Sequence, residues 1–137
     1  MLLFTFMLEL ILALTPADYQ HLARTIQVES AVGTMDEYCV AVSVLNRVRS
    51  PYFPNTVADV VYAPGQYEGF RKWRPVANPA VVNRLKSKEG QEKLLTAYSI
   101  IGNRTDFKGQ RMLKYRVASE DPMCHNKGNF YHYYWQT

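Results

Sequence analysis

One segment in the first half of the chain, Met35 to Val48 (MDEYCVAVSVLNRV), is apolar on nearly every face of a helix. A helix that is hydrophobic all round lies inside a domain rather than on its surface. The segment therefore predicts a central helix, around which the other elements pack. Its polar exceptions are Asn46 and Arg47. On a buried helix such groups more often bind neighbouring backbone atoms or an internal acid than a substrate, so we assign neither to catalysis.

The length of the chain sets the number of domains. It has 137 residues, of which 47% are hydrophobic, enough for one domain with a core and too few for two. We divide it into an apolar N-terminal segment, 1–15, and a single domain, 16–137. The segment is shorter than the roughly 20 residues of a membrane span. Three roles stay open for this segment: a helix that packs on the domain or assembles with another protein, a weak signal anchor, or a cleaved signal. No Lys or Arg precedes Arg24, which disfavours a cleaved signal because such signals begin with basic residues.

Capping signals place further helices along the chain. Thr15-Pro16-Ala17-Asp18 combines a cap residue, a proline at the first helical position and an acid in the first turn, which predicts a helix ending near Ser30. Similar signals predict helices at about 57–62, 79–87 and 91–101. Near the end of the chain, Arg111–Ala118 and Asn129–Gln136 are rich in β-branched or aromatic residues and predict two strands. The fold class is therefore α+β, mostly helical with a small antiparallel β element.

Composition disfavours several classes of function. The net charge of +4 suits a polyanionic partner, but the basic residues are scattered and the strongest cluster, within 71–74, is short. Without a basic-aromatic motif, nucleic-acid binding is the least favoured function. The three histidines lack metal-site spacing and no glycine-rich phosphate loop is present, so we predict no metal and no cofactor. Cys39 and Cys124 fit either one disulfide or two free thiols.

The stretch 22–30 (LARTIQVES) ends an apolar helix face in a carboxylate. At about 100° per residue, Leu22 and Ile26 lie on one stripe and Glu29 returns to it. A carboxyl group held against apolar side chains is partly desolvated, which favours its protonated form and suits a general acid. Periodicity alone also fits a glutamate turned to solvent at the end of a helix.

Four ordered motifs favour the general-acid interpretation of Glu29 over a glutamate turned to solvent. After Glu29 come VAVSVLNRV at 40–48, FPNTV at 53–57 and PGQY at 64–67. In this order and near this spacing they resemble the cell-wall hydrolase family typified by the spore cortex-lytic enzymes, to which phage members also belong. The resemblance implies a lysozyme-like, lytic transglycosylase-like fold that acts on peptidoglycan glycan strands. It implies cleavage of the β-1,4 bond between N-acetylmuramic acid and N-acetylglucosamine, with Glu29 as the catalytic residue.

The second glutamate that this family usually carries shortly after the first is missing here, because Ser-Ala-Val-Gly-Thr follows Glu29. A conventional glycosidase needs two carboxylates. A lytic transglycosylase needs one acid, which protonates the bridging oxygen and then, as a base, helps the C6 hydroxyl attack C1. We therefore favour this reaction. Asp36 and Glu68 are the candidates for a second carboxylate if the reaction is instead hydrolysis.

Several side chains are predicted substrate contacts. A loop amide at Gln66 can bind a hydroxyl or N-acetyl group, and the ring of Tyr67 can stack on a sugar. Ser30 forms, with Glu29, a Glu-Ser pair that lytic transglycosylases also show. Tyr98 lies in an Ala-Tyr-Ser sequence that partly resembles their Ala-Tyr-Asn motif. Tyr131 lies on one face of a predicted strand, where aromatic residues alternate. The rival reading is a non-catalytic structural or virion protein that keeps the fold and binds glycan. The implied site of action is the bacterial wall, reached from the periplasm, the exterior or a virion.

Overall fold

The computed structural model describes residues 2–64, 67, 75–108, 121–124 and 129–132. Within these residues six α-helices and two short strands follow one another along the chain. They are α1 (Leu2–Ala13), α2 (Pro16–Glu29), α3 (Asp36–Arg49), α4 (Val57–Val61), α5 (Pro79–Lys86), α6 (Lys88–Ile101), β1 (Asp106–Lys108) and β2 (Phe130–His132), with a 3-10 turn at Pro122–Cys124 before β2. The predicted mostly helical α+β class is confirmed.

Helix α3 is the central element, as its all-round apolarity predicts. It packs against α2, α4, α6 and the 3-10 turn. One of its polar exceptions, Asn46, binds main-chain atoms inside the protein: its side-chain amide donates to the carbonyls of Gly102 and Arg104, each at 2.7 Å. These carbonyls follow the end of α6, where the helix no longer supplies partners. The prediction that Asn46 binds neighbouring backbone groups is confirmed.

Helix α2 begins at the predicted cap. The Thr15 hydroxyl accepts from the Asp18 amide at 3.1 Å, and the Asp18 carboxylate accepts from the Thr15 amide at 2.9 Å. This reciprocal pair is a capping box, which satisfies amides that a helix start leaves unpaired. Leu22 and Ile26 are completely buried. The face that leads to Glu29 is therefore a core face.

The N-terminal segment forms α1, which packs against α6. Met7 and Ile11 are completely buried, whereas Phe6 and Leu12 remain exposed on the other side of the helix. No helix in the part of the chain that the structure describes is long and apolar enough to cross a membrane. The division at residue 15 stays a prediction.

The junction between α5 and α6 differs from expectation. The sequence predicts a break within Ser87–Gly90 and a helix from Gln91; the break lies at Ser87, and α6 begins at Lys88, three residues earlier than expected. Ser87 ends α5, and its hydroxyl accepts from the Gly90 amide at 2.9 Å as the cap of α6. A Cβ on Gly90 would collide with the Arg84 carbonyl. The glycine therefore allows close approach of two helices, which a sequence pattern cannot distinguish from a break.

The β element also differs in one strand. The predicted strand at 129–136 contains β2, while the predicted strand at 111–118 lies outside the described residues. β1 was not predicted, because three residues with one aromatic between two charged side chains show no periodicity. β1 pairs antiparallel with β2, with Phe107 opposite Tyr131.

Cys39 and Cys124 form a disulfide, the first of the two alternatives that the sequence left open. The bond joins the first turn of α3 to the 3-10 turn across 85 residues, with a Cα–Cα distance of 5.9 Å. Both residues are completely buried. Closing a long loop in this way restricts the unfolded chain.

Removing this disulfide should lower the free energy of unfolding by about 3–4 kcal/mol. The measurement is urea unfolding of the oxidised protein with and without a thiol reductant. The double variant Cys39→Ala with Cys124→Ala serves as the control, since its unfolding should not respond to the reductant. Equal unfolding midpoints of the oxidised and reduced wild-type protein would contradict the assignment.

Candidate active site

Glu29 is the last residue of α2 and is half-buried. Its main-chain carbonyl is one of those that a helix end leaves without an internal partner, and it accepts from the Asn129 side-chain amide at 2.9 Å. The next residue, Ser30, is buried and its hydroxyl donates to the Ile26 carbonyl at 2.8 Å. The end of α2 is therefore held from outside the helix and from within it.

Tyr67 lies close enough to Glu29 for the two to interact electrostatically. Burial raises the pKa of Tyr67 to about 12; the Arg47 guanidinium opposes this shift, and the negative charges of Asp106 and Glu29 add to it. The Tyr67 hydroxyl consequently keeps its proton at any physiological pH. It is a permanent hydrogen-bond donor beside the candidate acid.

The backbone and the hydroxyl of Tyr67 both carry a cost. Its φ of +47° lies in the left-handed region, which costs a non-glycine residue about 1–3 kcal/mol. Its buried hydroxyl has no hydrogen-bond partner among the residues that the structure describes. Ser43 is near enough to lower the pKa of Tyr67 slightly, but its own hydroxyl donates to the Val40 carbonyl at 2.7 Å and it forms no well-aligned bond with Tyr67. Two such costs in one residue indicate a functional constraint.

Arg47 organises the surroundings of Tyr67. The guanidinium carbon lies 5.1 Å from the centre of the Tyr67 ring and 4.7 Å from that of Phe53, which are distances of cation–π contact. The Arg47 Nε donates to the Thr105 carbonyl at 2.8 Å, and its Nη2 lies 3.3 Å from the Asp106 carboxylate. Arg47 therefore joins the central helix to the start of β1.

Aromatic rings continue the cluster from Tyr67 into the β element. The Phe107 ring centre lies 6.3 Å from that of Tyr67 and 5.4 Å from that of Tyr131. These spacings are within the range in which tilted aromatic pairs attract one another. The β pairing of Phe107 with Tyr131 thus places the Tyr67 ring against a fixed surface.

Tyr131 is completely buried, and its hydroxyl donates to the Asp36 carboxylate at 2.6 Å. Burial raises the pKa of Tyr131 well above its usual value, and the charge of Asp36 raises it further. Asn129 donates to the same carboxylate at 3.2 Å. These groups form a buried network next to the end of α2. Tyr131 is therefore enclosed in the protein and does not lie on an open surface.

The predicted site residues are thus distributed unevenly. Glu29, Ser30 and Tyr67 lie together, and Tyr131 is linked to Glu29 through Asn129 and Asp36. Tyr98 donates to the Asn103 side chain at 2.8 Å near the end of α6. Gln66 and Glu68 lie outside the described residues. The role of Gln66 as a substrate contact, that of Glu68 as a second carboxylate and that of Glu29 as the catalytic residue stay predictions.

Sequence reasoning missed Asp106, Phe107 and Asn129 as members of the cluster. Asp106 and Phe107 belong to the strand that periodicity could not detect. Asn129 stands directly before the aromatic run of β2, and that position was the only available signal. No group of three or more His, Cys, Asp or Glu side chains in the described ranges could hold a metal ion.

Comparison with known proteins identifies the class. The family model of the cell wall hydrolases matches residues 33–133. Because this match covers most of the chain, the protein belongs to the cell wall hydrolase family, and the predicted recognition and enzyme class are confirmed. The match begins just after Glu29, so the assignment of that residue depends on its geometry.

A similar solved structure is the catalytic domain of the germination-specific lytic transglycosylase SleB from Bacillus anthracis. The two chains share 19% sequence identity, the match covers 88% of this chain and 97% of that domain, and the TM-score is 0.55. The likeness confirms the lysozyme-like fold. No curated protein sequence matches the chain significantly.

Replacing Arg47 should destabilise the protein. Arg47→Met keeps much of the apolar stem but removes the guanidinium donor from the Thr105 carbonyl and from the Asp106 carboxylate, which should lower the free energy of unfolding by about 2–3 kcal/mol. Urea unfolding measures this change. As a control, Lys93→Met breaks an exposed pair with Glu89 and should cost much less. Equal losses in the two variants would show that Arg47 does not join α3 to β1.

Proposed function

We propose that this protein cleaves the β-1,4 bond between N-acetylmuramic acid and N-acetylglucosamine as a lytic transglycosylase, with Glu29 as the single acid and base. Membership of the cell wall hydrolase family supports peptidoglycan as the substrate. The activity named for the similar SleB domain supports the reaction class. The observation that carries the proposal is a half-buried glutamate at the anchored end of α2, beside a tyrosine that remains protonated.

In the first step the protonated Glu29 carboxyl gives its proton to the oxygen that bridges the two sugars. The bond from this oxygen to C1 of N-acetylmuramic acid breaks, and N-acetylglucosamine leaves with a free 4-hydroxyl group. Positive charge develops at C1, while Glu29 becomes a carboxylate. A general acid in this position typically contributes a factor of about 10²–10⁴ to the rate.

In the second step the Glu29 carboxylate takes the proton from the C6 hydroxyl of the same N-acetylmuramic acid. Its O6 bonds to C1 and closes a 1,6-anhydro ring, which neutralises the charge at C1. The carboxyl group regains its proton, so the enzyme returns to its starting state. The reaction consumes no water and requires no second carboxylate.

The surroundings of the other carboxylates agree with a single acid. Asp36 is completely buried and accepts hydrogen bonds from Tyr131 and Asn129, which favours a structural role over activation of a water molecule. Asp106 is paired with Arg47. Among the described carboxylates, Asp106 is the one whose charge, with that of Glu29, acts on Tyr67. If the reaction proves to be hydrolysis, Asp106 is a candidate base among the described carboxylates, and Glu68, outside them, stays a candidate.

Tyr67 supports Glu29 in this mechanism. The carboxylate that forms after the first proton transfer needs a hydrogen-bond donor, and a donor that is present before the reaction stabilises the developing charge without reorganisation. The Tyr67 hydroxyl is buried, protonated and without a partner in the described part of the chain. We assign it to that carboxylate, whereas sugar stacking by its ring stays the alternative role.

Glu29→Gln should lower the release of muropeptides from purified peptidoglycan at least about 100-fold, because glutamine cannot transfer the proton. The products of the wild-type enzyme should weigh about 18 Da less than hydrated sugars by mass spectrometry, the mass of one water molecule that is not consumed. Glu92→Gln, an equal change at an exposed position of α6, is the matched control and should retain activity.

Each other outcome has a distinct meaning. Hydrated products that depend on Glu29 would establish a hydrolase and direct attention to Asp106. Activity that survives Glu29→Gln would remove Glu29 from the mechanism. A wild-type protein that binds glycan strands without cleaving them would support the non-catalytic reading.

Two substitutions separate the roles of Tyr67. Tyr67→Phe removes only the hydroxyl and should lower kcat about 10-fold or more with little change in KM, because the donor acts on the charge that develops at Glu29. Stacking alone would leave Tyr67→Phe active and would raise KM in Tyr67→Leu. Steady-state rates on soluble glycan strands, with thermal unfolding as the control for folding, decide between them.

A further inference from the structure

We propose that Asp36 is a positioning residue, which holds the Glu29 main chain in its reactive place through Asn129. This inference rests on the proposed function of Glu29. It assigns the buried carboxylate at the start of α3 to the orientation of the first carboxylate rather than to chemistry of its own.

Three hydrogen bonds tie Asp36 to the segment after α2 and to residues at the start of β2. Its Oδ1 accepts from the Tyr131 hydroxyl at 2.6 Å. Its Oδ2 accepts from the Asn129 amide at 3.2 Å and from the main-chain amide of Ala31 at 3.3 Å. A buried carboxylate is costly without such donors, and hydrogen bonds to the ionised form stabilise its charge.

Asn129 carries this constraint to Glu29. Its side-chain nitrogen donates to the Glu29 carbonyl at 2.9 Å and to Asp36 Oδ2 at 3.2 Å. Because both partners are acceptors, the amide nitrogen, not the amide oxygen, must occupy this position. Asp36 therefore selects the orientation of the amide that can hold Glu29.

The result is a clamp on both sides of the catalytic residue. On one side the carbonyl of Glu29 itself is bound, and on the other the amide of Ala31 is bound by Asp36. The turn after α2 would otherwise leave this carbonyl without a partner. A displacement of about 1 Å in a reacting group can cost about 100-fold in rate, so a fixed helix end has a direct effect on turnover.

A double-mutant cycle tests the link on soluble glycan strands. Asn129→Ala should lower kcat about 10–100-fold, and Asp36→Asn about 10-fold, with KM within about threefold of wild type. If Asp36 acts through Asn129, adding Asp36→Asn to Asn129→Ala should lower kcat no further than about threefold. A merely structural role would not produce this combination of a constant KM and a non-additive loss in kcat.

Glu37 provides the matched control, because it is the next residue of α3 and is equally buried. Its carboxylate accepts from the Arg84 guanidinium at 2.8 Å and from the Gly33 amide at 3.3 Å, and it has no bond to Asn129 or Glu29 among the described contacts. Glu37→Gln should destabilise the protein as well but keep kcat within about threefold. An equal loss of kcat in Glu37→Gln and Asp36→Asn would overturn the proposal, as would a folded Asp36→Asn with wild-type kcat.

If Asp36→Asn does not fold, Tyr131→Phe provides a second test of the proposal. It retains the ring, removes the 2.6 Å bond to Asp36 and should lower kcat several-fold; wild-type kcat in this variant would count against the proposal. Failure of the proposed function is recognised separately, because then Glu29→Gln would leave muropeptide release intact. Dependence on Glu29 together with multiplicative effects of Asp36 and Asn129 would overturn the positioning role alone.

Discussion

The burial of α3 is the constraint on which the rest of the structure depends. This all-round apolar helix contributes more buried apolar residues to the core than any other described element, but its ends carry polar side chains that are buried with it. A buried polar group must find a partner inside the protein. At the start of α3, Asp36 binds both the segment that follows α2 and the strand β2. Near the end of α3, Asn46 and Arg47 bind the segment that leads into β1. These hydrogen bonds order both regions that meet at the candidate site.

This arrangement explains how a small domain can fix the main chain at the candidate acid. Glu29 ends a helix whose inner face is core, and its carbonyl is bound by a side chain one hundred residues further along the chain. The disulfide from Cys39 to Cys124 joins α3 to the turn that precedes β2. Long-range bonds of this kind restrict the site more than local helix propensity does. Tyr67 keeps a left-handed backbone and, among the described residues, a buried hydroxyl without a hydrogen-bond partner.

The sequence predicted well where a local rule decides. The cap at Thr15, the buried nature of α3 and the internal role of Asn46 follow from patterns within a few residues. It placed the start of α6 three residues too late, since Gly90 is needed for close packing inside the helix rather than for a break, and it missed β1, which exists because it pairs with a distant strand. The family was recognisable from ordered motifs, whereas Asp106 and Phe107 entered the site only through the fold.

By itself, the sequence determined the helical class, the central helix, the family and the choice of Glu29 as the candidate acid. It did so because capping, periodicity and motif order depend on residues that are close together in the sequence. The tertiary structure decided the partners: the pairing of the cysteines, the enclosure of Asp36 and the contact of Tyr67 with Arg47. Those choices depend on which distant groups can satisfy a buried charge or donor, and that is a property of the whole folded chain rather than of any segment.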